Sequence, residues 1–325
     1  MNIIEGINRL RERHGEILVL FLILVLILIM IGGATGGEFL KIGFLQSMAF
    51  QLPMLGLLAL AQMGPMLTGG IDLSVISIAN LSGIVAAIVL TGMNGPTAIL
   101  LAVVAAMLTA IAAGSLNGII ISVFGVSPII GTLGMMIFLR GVALIVTKGD
   151  IIAGFPQSFL YLGNGTILGI PVPLIIFGAI IAIFAVIVSK TPYGVSAYMV
   201  GSNETATRFS GVNTKWVLFR TYLTSGFLAG ITAFIMITRY NSAQAGAGFS
   251  YLLLTVLICV LGGISPDGGI GKVTGLFLAI IILQFISSGF NLMGLSSHLA
   301  SALWGIILIF ALFLNKLVLA QSGAR

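Results

Sequence analysis

Few side chains in this sequence are equipped for chemistry, and those few stand in short polar islands between apolar runs. Asp72 lies in "LTGGIDLS" (67–74), Arg140 in "GTLGMMIFLRG" (131–141), and Glu204 and Arg208 in "GSNETATRFSGV" (201–212). His14, His298 and Cys259 are the only imidazoles and the only thiol, so neither a metal centre nor a disulfide is expected. No paired-histidine motif or Ser-His-Asp set is spaced for catalysis, and no catalytic residue is expected. The one Gly-Lys pair, Gly271–Lys272, is followed by Val273 and lacks the upstream glycine of a phosphate-binding loop, and "GGIG" (268–271) is not a dinucleotide fingerprint. What remains is the chemistry of isolated polar groups in an apolar medium: hydrogen bonding, helix capping and solute contact.

That medium is set by composition. Of 325 residues, 59% are hydrophobic and 7% charged, with a mean hydropathy of +1.23, whereas soluble domains carry about a quarter charged residues. The expected fold class is an all-α integral membrane protein, one domain spanning 1–325 with its membrane bundle over 17–316. The net charge of +6 comes from dispersed basic residues, which fits topology signalling rather than nucleic-acid binding.

Ten apolar runs are candidate spans, at 17–32, 43–63, 73–91, 97–122, 127–147, 173–189, 216–238, 250–263, 272–290 and 299–316. They are continuously apolar, which fits helices and not barrel strands. "RLRER" ahead of the first run has the outline of a secretory signal, but a retained first span is expected because the chain that follows is itself multispanning. Threading from an inside N terminus puts both termini in the cytoplasm, with Arg9, Arg11, Arg13, Lys190, Arg208, Lys215, Arg220, Lys272, Lys316 and Arg325 on or near that side. Lys41, Lys148 and Arg239 fall opposite.

Glycine pairs mark close packing and breaks. Gly114 with Gly118, Gly226 with Gly230 and Gly271 with Gly275 have the spacing that lets helices approach in lipid. Gly69–Gly70 and Gly262–Gly263, sharing a Gly-Gly-Ile core, are the expected helix breaks. A charge at membrane depth costs roughly 3 kcal/mol, so Asp72 and Arg140 are expected to face protein or water. Asp72 either caps a helix break or lines a solute path; Arg140 snorkels, forms a structural pair or contacts solute; Gln62 and Asn117 join helices or line the path.

Residues 190–215 read as a cytoplasmic loop holding a short helix. Asn203 is a good N-cap, Glu204 suits the positive first turn, Arg208 the last turn, and Gly211 a left-handed stop. Such a helix is too short to span. It either packs on its own bundle or offers Ala206 and Phe209 to a groove on another chain.

Together, "LTGGIDLS", "GTLGMMIFLRG", "GSNETATRFSGV", "SAQAGAG" (242–248) and "LGGISPDGGIGKVTG" (261–275) resemble, in order and over nearly the whole chain, the permease subunits of bacterial ATP-binding-cassette importers of the ribose type. "AQMGPML" departs from the family pattern at Gln62, Met63 and Pro65, as does Ile76. The resemblance implies a multi-pass protein of the bacterial inner membrane that imports a monosaccharide or similar polar solute. It implies a second permease subunit, identical or paralogous, an extracytoplasmic sugar-binding protein, and a cytoplasmic ATPase dimer that uses ATP and Mg; this chain binds no cofactor itself. Asn203, Glu204, Thr205, Ala206, Arg208, Phe209 and Gly211 then form a helix coupled to the ATPase, and Gln62, Asp72, Ser74, Asn117 and Thr132 are the expected polar contacts near the path. The rival readings are an ion-coupled secondary transporter and a non-transporting membrane scaffold.

Overall fold

In hydrocarbon every backbone N–H and C=O must find a partner within the protein, which leaves helices as the economical answer for runs this apolar. The computed structural model follows that rule; it describes residues 20–30, 32–33, 36–93, 95–295, 299, 302–306 and 309. Its helices are α1 (Leu20–Met30), α2 (Ile42–Leu67), α3 (Val75–Gly92), α4 (Pro96–Ser122), α5 (Pro128–Thr147), α6 (Gln157–Asn164), α7 (Val172–Lys190), α8 (Pro192–Ser202), α9 (Glu204–Phe209), α10 (Thr214–Tyr240), α11 (Tyr251–Leu261) and α12 (Val273–Leu292). Among the described residues, seven of these are long and apolar enough to cross a bilayer: α2, α3, α4, α5, α7, α10 and α12.

The run at 250–263 does not form the full span expected of it. α11 has 11 residues, about 16 Å of helix against a hydrocarbon core of about 30 Å. The cause lies just upstream, where "QAGAGFS" (244–250) is too rich in glycine to stay helical, and Gly248 takes a φ of 70°. Its exposed carbonyls are met by protein instead: Asn80 Nδ2 of α3 donates to the oxygens of Ala245 (3.3 Å) and Ala247 (2.9 Å). The described part of the first run is likewise short, at Leu20–Met30. Most of the run at 299–316 lies outside the described residues, as do Arg9, Arg11, Arg13, His14, His298, Lys316 and Arg325 and the termini.

Two small antiparallel pairs lie at the end of the bundle where α5 and α10 finish and α7 begins. β1 (Ile152–Ala153) pairs with β4 (Ser242–Ala243), and β2 (Thr166–Ile167) with β3 (Ile170–Pro171). Successive long helices alternate in direction, so Leu67, the α4–α5 turn, α8, α9 and the loop 262–272 gather at one face. Lys190, Arg208, Lys215, Arg220 and Lys272 belong to that face or to the helix ends beside it. Arg239 sits at the other end, donating to Asn164 Oδ1 (2.7 Å) and lying over the Phe50 ring.

The seam between α4 and α10 is built from the glycines. Ala98, Ala102, Ala106 and Ala110, each one helical turn apart, are fully buried along α4 and continue into Gly114 and Gly118. A Cβ on Gly114 would stand 2.7 Å from the Tyr222 oxygen and 2.9 Å from the Gly226 Cα; one on Gly226 would stand 2.7 Å from the Ala110 oxygen. Backbone meets backbone here, so nothing can swing aside. Gly114→Val is therefore expected to cost roughly 1–3 kcal/mol and to lower the thermal midpoint measured by fluorescence-detected size exclusion. Gly178→Ala, at a position with no atom within 4 Å of the added carbon, should leave that midpoint unchanged.

Candidate functional site

The break between α2 and α3 is where the polar residues meet. α2 stops where Gly69 takes a left-handed φ of 80°; Thr68 Oγ1 donates to the Pro65 oxygen (2.9 Å), which also accepts from Gly70 N (2.9 Å). Gly70 is held open for Tyr222, whose hydroxyl would lie 2.5 Å from any Cβ there. The chain then runs unwound through Ile71, Asp72 and Leu73 inside the protein before α3 starts.

Four backbone groups of that segment have a side chain assigned to them. The Gln62 amide, oriented with its nitrogen on the Asp72 oxygen (2.9 Å) and its oxygen on the Asp72 N–H (3.2 Å), bridges both. Thr132 Oγ1 of α5 accepts from Leu73 N (3.1 Å) and donates to the Ile71 oxygen (3.0 Å) or to Pro128 one turn back (2.8 Å). The Asp72 carboxylate caps the start of α3: Oδ1 accepts from Ser74 N (2.9 Å) and Ser74 Oγ (2.6 Å), and Oδ2 from Ser225 Oγ of α10 (2.7 Å). Asn117 Nδ2 of α4 completes the set by donating to Ser74 Oγ (2.7 Å).

Gln62, Asp72, Ser74, Asn117 and Thr132 are thus brought into one network. All five are 0% exposed, turned toward each other and the unwound backbone and away from open space. Ser225 belongs to the same network, and no signal in "LTSGFLAG" separates it from the other hydroxyls of α10. Arg140 takes a different role, its guanidinium lying 4.8 Å from the centroid of Phe249 in the unwound stretch before α11. Cys259 is buried, with Sγ against the Ala59 oxygen (3.5 Å), and no metal-binding group of His, Cys, Asp and Glu occurs among the described residues.

The second break abuts the first. α11 ends at Gly262 and Gly263, the latter with φ 79°, and the loop that follows returns to α2, where Gly269 N donates to the Leu67 oxygen (3.0 Å). Gly201, near the end of α8, fits between the two: a Cβ on it would overlap the Leu67 oxygen and the Gly269 nitrogen. Tyr198 Oη of α8 donates to the Gly271 oxygen (2.7 Å), and burial raises its phenol pKa, so it remains a donor.

α9 follows directly from α8. Asn203 Oδ1 accepts from Ala206 N (2.9 Å), Glu204 sits in the first turn with Thr214 Oγ1 donating to its carboxylate (3.2 Å), and Arg208 is in the last turn. Gly211 has φ 87° and donates to the Arg208 oxygen (3.1 Å). Thr205, Ala206, Arg208 and Phe209 are exposed, Phe209 by 87%, while Thr207, which the sequence did not single out, is buried and ties the helix back to the Asn203 oxygen (2.7 Å).

The network predicts an asymmetry at residue 72. Asp72→Ala strips the acceptors from three donors and is expected to destabilise by roughly 1–3 kcal/mol, read as a lower thermal midpoint. Asp72→Asn keeps an oxygen for Ser74 and should stay within a fraction of that loss. An alanine variant as stable as the parent would show that the cap carries no weight.

A family model described as "Branched-chain amino acid transport system / permease component" matches residues 44–312. The ribose import permease protein RbsC of Bacillus subtilis (strain 168) is 35% identical over 269 residues, covering 82% of each chain, and that of Escherichia coli (strain K12) is 35% identical over 284 residues, covering 86% of this chain and 87% of its own. The L-arabinose transport system permease protein AraH of Escherichia coli (strain K12) is 29% identical over 275 residues, with 84% and 82% covered. No solved structure matches. With the match running through both helix breaks and α9, and with seven helices able to cross a bilayer, the chain belongs to this family of permease components and is an integral protein of the bacterial inner membrane.

Proposed function

We propose that this chain is the transmembrane permease subunit of an ATP-driven importer for a monosaccharide or a similar small polar solute. The solute is handed over by an extracytoplasmic binding protein and passes through a pathway formed with a second permease subunit. ATP and Mg are bound and used by separate ATPase subunits on the cytoplasmic side. The relatives that import ribose and transport L-arabinose support the solute class, and the positive-inside rule supports assigning the face with α9 to the cytoplasm.

The observation that carries the reading is α9: six residues, capped at both ends by their own side chains and backbone, with Phe209 standing almost wholly in solvent. A helix that merely packed on its own bundle would bury its aromatic residue. Here Thr207 faces inward, and Thr205, Ala206, Arg208 and Phe209 are left for a groove on the ATPase, with Asn203, Glu204 and Gly211 fixing the helix that presents them. Because α9 continues from α8, and Gly201 of α8 is wedged between Leu67 and Gly269, displacement of α9 is delivered to both helix breaks. The Asp72 network is the element that this displacement rearranges, and its members reach the solute path only when the break moves.

An ion-coupled transporter would need an intramembrane acid free to exchange its partner. Asp72 is the only acid at membrane depth among the described residues, and its oxygens are already held by Ser74 and Ser225 as a cap. In proteoliposomes holding the permease, its ATPase and the binding protein, Arg208→Glu with Phe209→Ala should cut uptake at least about tenfold, a coupling loss near 1.4 kcal/mol, with ATPase activity and folded yield retained. Unchanged uptake in that variant would remove the coupling role of α9. Uptake that survives ATP depletion but collapses with a protonophore would replace the ATP-driven reading with the ion-coupled one.

A further inference from the structure

We infer that the α4–α5 turn is a second docking point for the ATPase subunit, acting on the α2–α3 break from the side opposite α9. This rests on the proposed ATP-driven function. The turn "SVFGVSP" (122–128) is locked by its own backbone: Phe124 N donates to the Ile119 oxygen (3.3 Å), Val126 N to the Ile120 oxygen (3.3 Å), and Gly125 takes a left-handed φ of 70°. The result is a rigid corner that holds Val123 56% and Phe124 73% exposed.

Between this corner and α9 lies a cavity of about 450 Å³, lined by Phe124 and Pro128 on one side and by Glu204, Arg208 and Lys215 on the other, with Thr68 and Gly69 among its lining. Exposed Phe124 lines this recess on one side, and on the other Arg208, the chain neighbour of exposed Phe209, lines it, with Thr68 and Gly69 of the helix break in its wall. Its charge is unbalanced. Arg208 and Lys215 face a single carboxylate, Glu204, which already accepts from Thr214. The partner that fits is an ATPase surface with two apolar pockets and carboxylates between them, continuous across α9 and the turn.

The turn is also connected to the break. Pro128 follows it directly, and one helical turn further on Thr132 holds Ile71 and Leu73 of the unwound segment. Pressure on Phe124 is thus passed through the first turn of α5 to one flank of the break, while α9 acts through Gly201 on the other. With both contacts engaged, the ATPase would grip the break between two levers.

The test uses the intact transporter with its ATPase, in a Cys259→Ala background. Phe124→Cys and, as the control, Phe209→Cys are each labelled with a short photoreactive thiol reagent and irradiated, and the adduct is identified by mass. Adducts from both positions to the ATPase are expected. An adduct from 209 but not 124, or one from 124 to lipid or to the second permease subunit, overturns the inference and leaves the function of α9 standing. No ATPase adduct from either position overturns both. As a second readout, Phe124→Ala should weaken ATPase binding about tenfold without lowering the thermal midpoint, since the side chain it removes is exposed; unchanged affinity would contradict the inference.

Discussion

A peptide segment that leaves the helix inside a membrane protein must have its hydrogen bonds supplied by side chains, and the rest of this structure is arranged around that demand at Gly70–Leu73. Gln62 holds both backbone groups of Asp72, Thr132 holds the Ile71 oxygen and the Leu73 N–H, and the Asp72 carboxylate holds the start of α3. Four helices besides α3 contribute: α2 through Gln62, α4 through Asn117, α5 through Thr132 and α10 through Ser225. Every partner of the break therefore sits on a different rigid element. Movement of any one of them relative to the others must exchange hydrogen bonds, which favours discrete arrangements over gradual deformation.

The glycine seams decide which movements are easy. α4 and α10 meet through backbone at Gly114 and Gly226 and behave as one unit, so Asn117 and Ser225 form a fixed wall. Gly201, Gly268 and Gly269 bring α8 and the second break against the end of α2 with no side chain between. The first contact is deep in the bundle and the second lies at the α9 face. The α4–α10 wall thus bounds the unwound segment inside the bundle, and α8 packs against the end of α2 that leads into it.

Sequence reading recovered the parts of this that are local. The caps of α9 could be read because Asn203, Glu204, Arg208 and Gly211 act within their own helix, and the breaks could be read because a glycine pair admits the left-handed backbone that Gly69 and Gly263 adopt. Gln62, Asp72, Ser74, Asn117 and Thr132 stood out one by one as polar groups in apolar runs, but their convergence did not, since the bonds span separations of 43, 59 and 153 residues. Ser225 stayed hidden among similar hydroxyls. The run at 250–263 forms the shorter α11, and what does not show in the sequence is that the unwound backbone ahead of it is held by Asn80, a residue more than 160 positions away. Thr207 was missed because a six-residue helix is too short to show which side is buried.

In the proposed function, movement at the α9 face is delivered to the α2–α3 break through Gly201. Hydrogen–deuterium exchange of residues 69–74 in the reconstituted transporter, compared between the nucleotide-free and ATP-trapped states, addresses it most directly. Delivery through Gly201 predicts a clear change in protection of that segment on trapping ATP, and loss of the change in Gly201→Val. Protection of 69–74 that stays the same in both states, while transport proceeds, would contradict it.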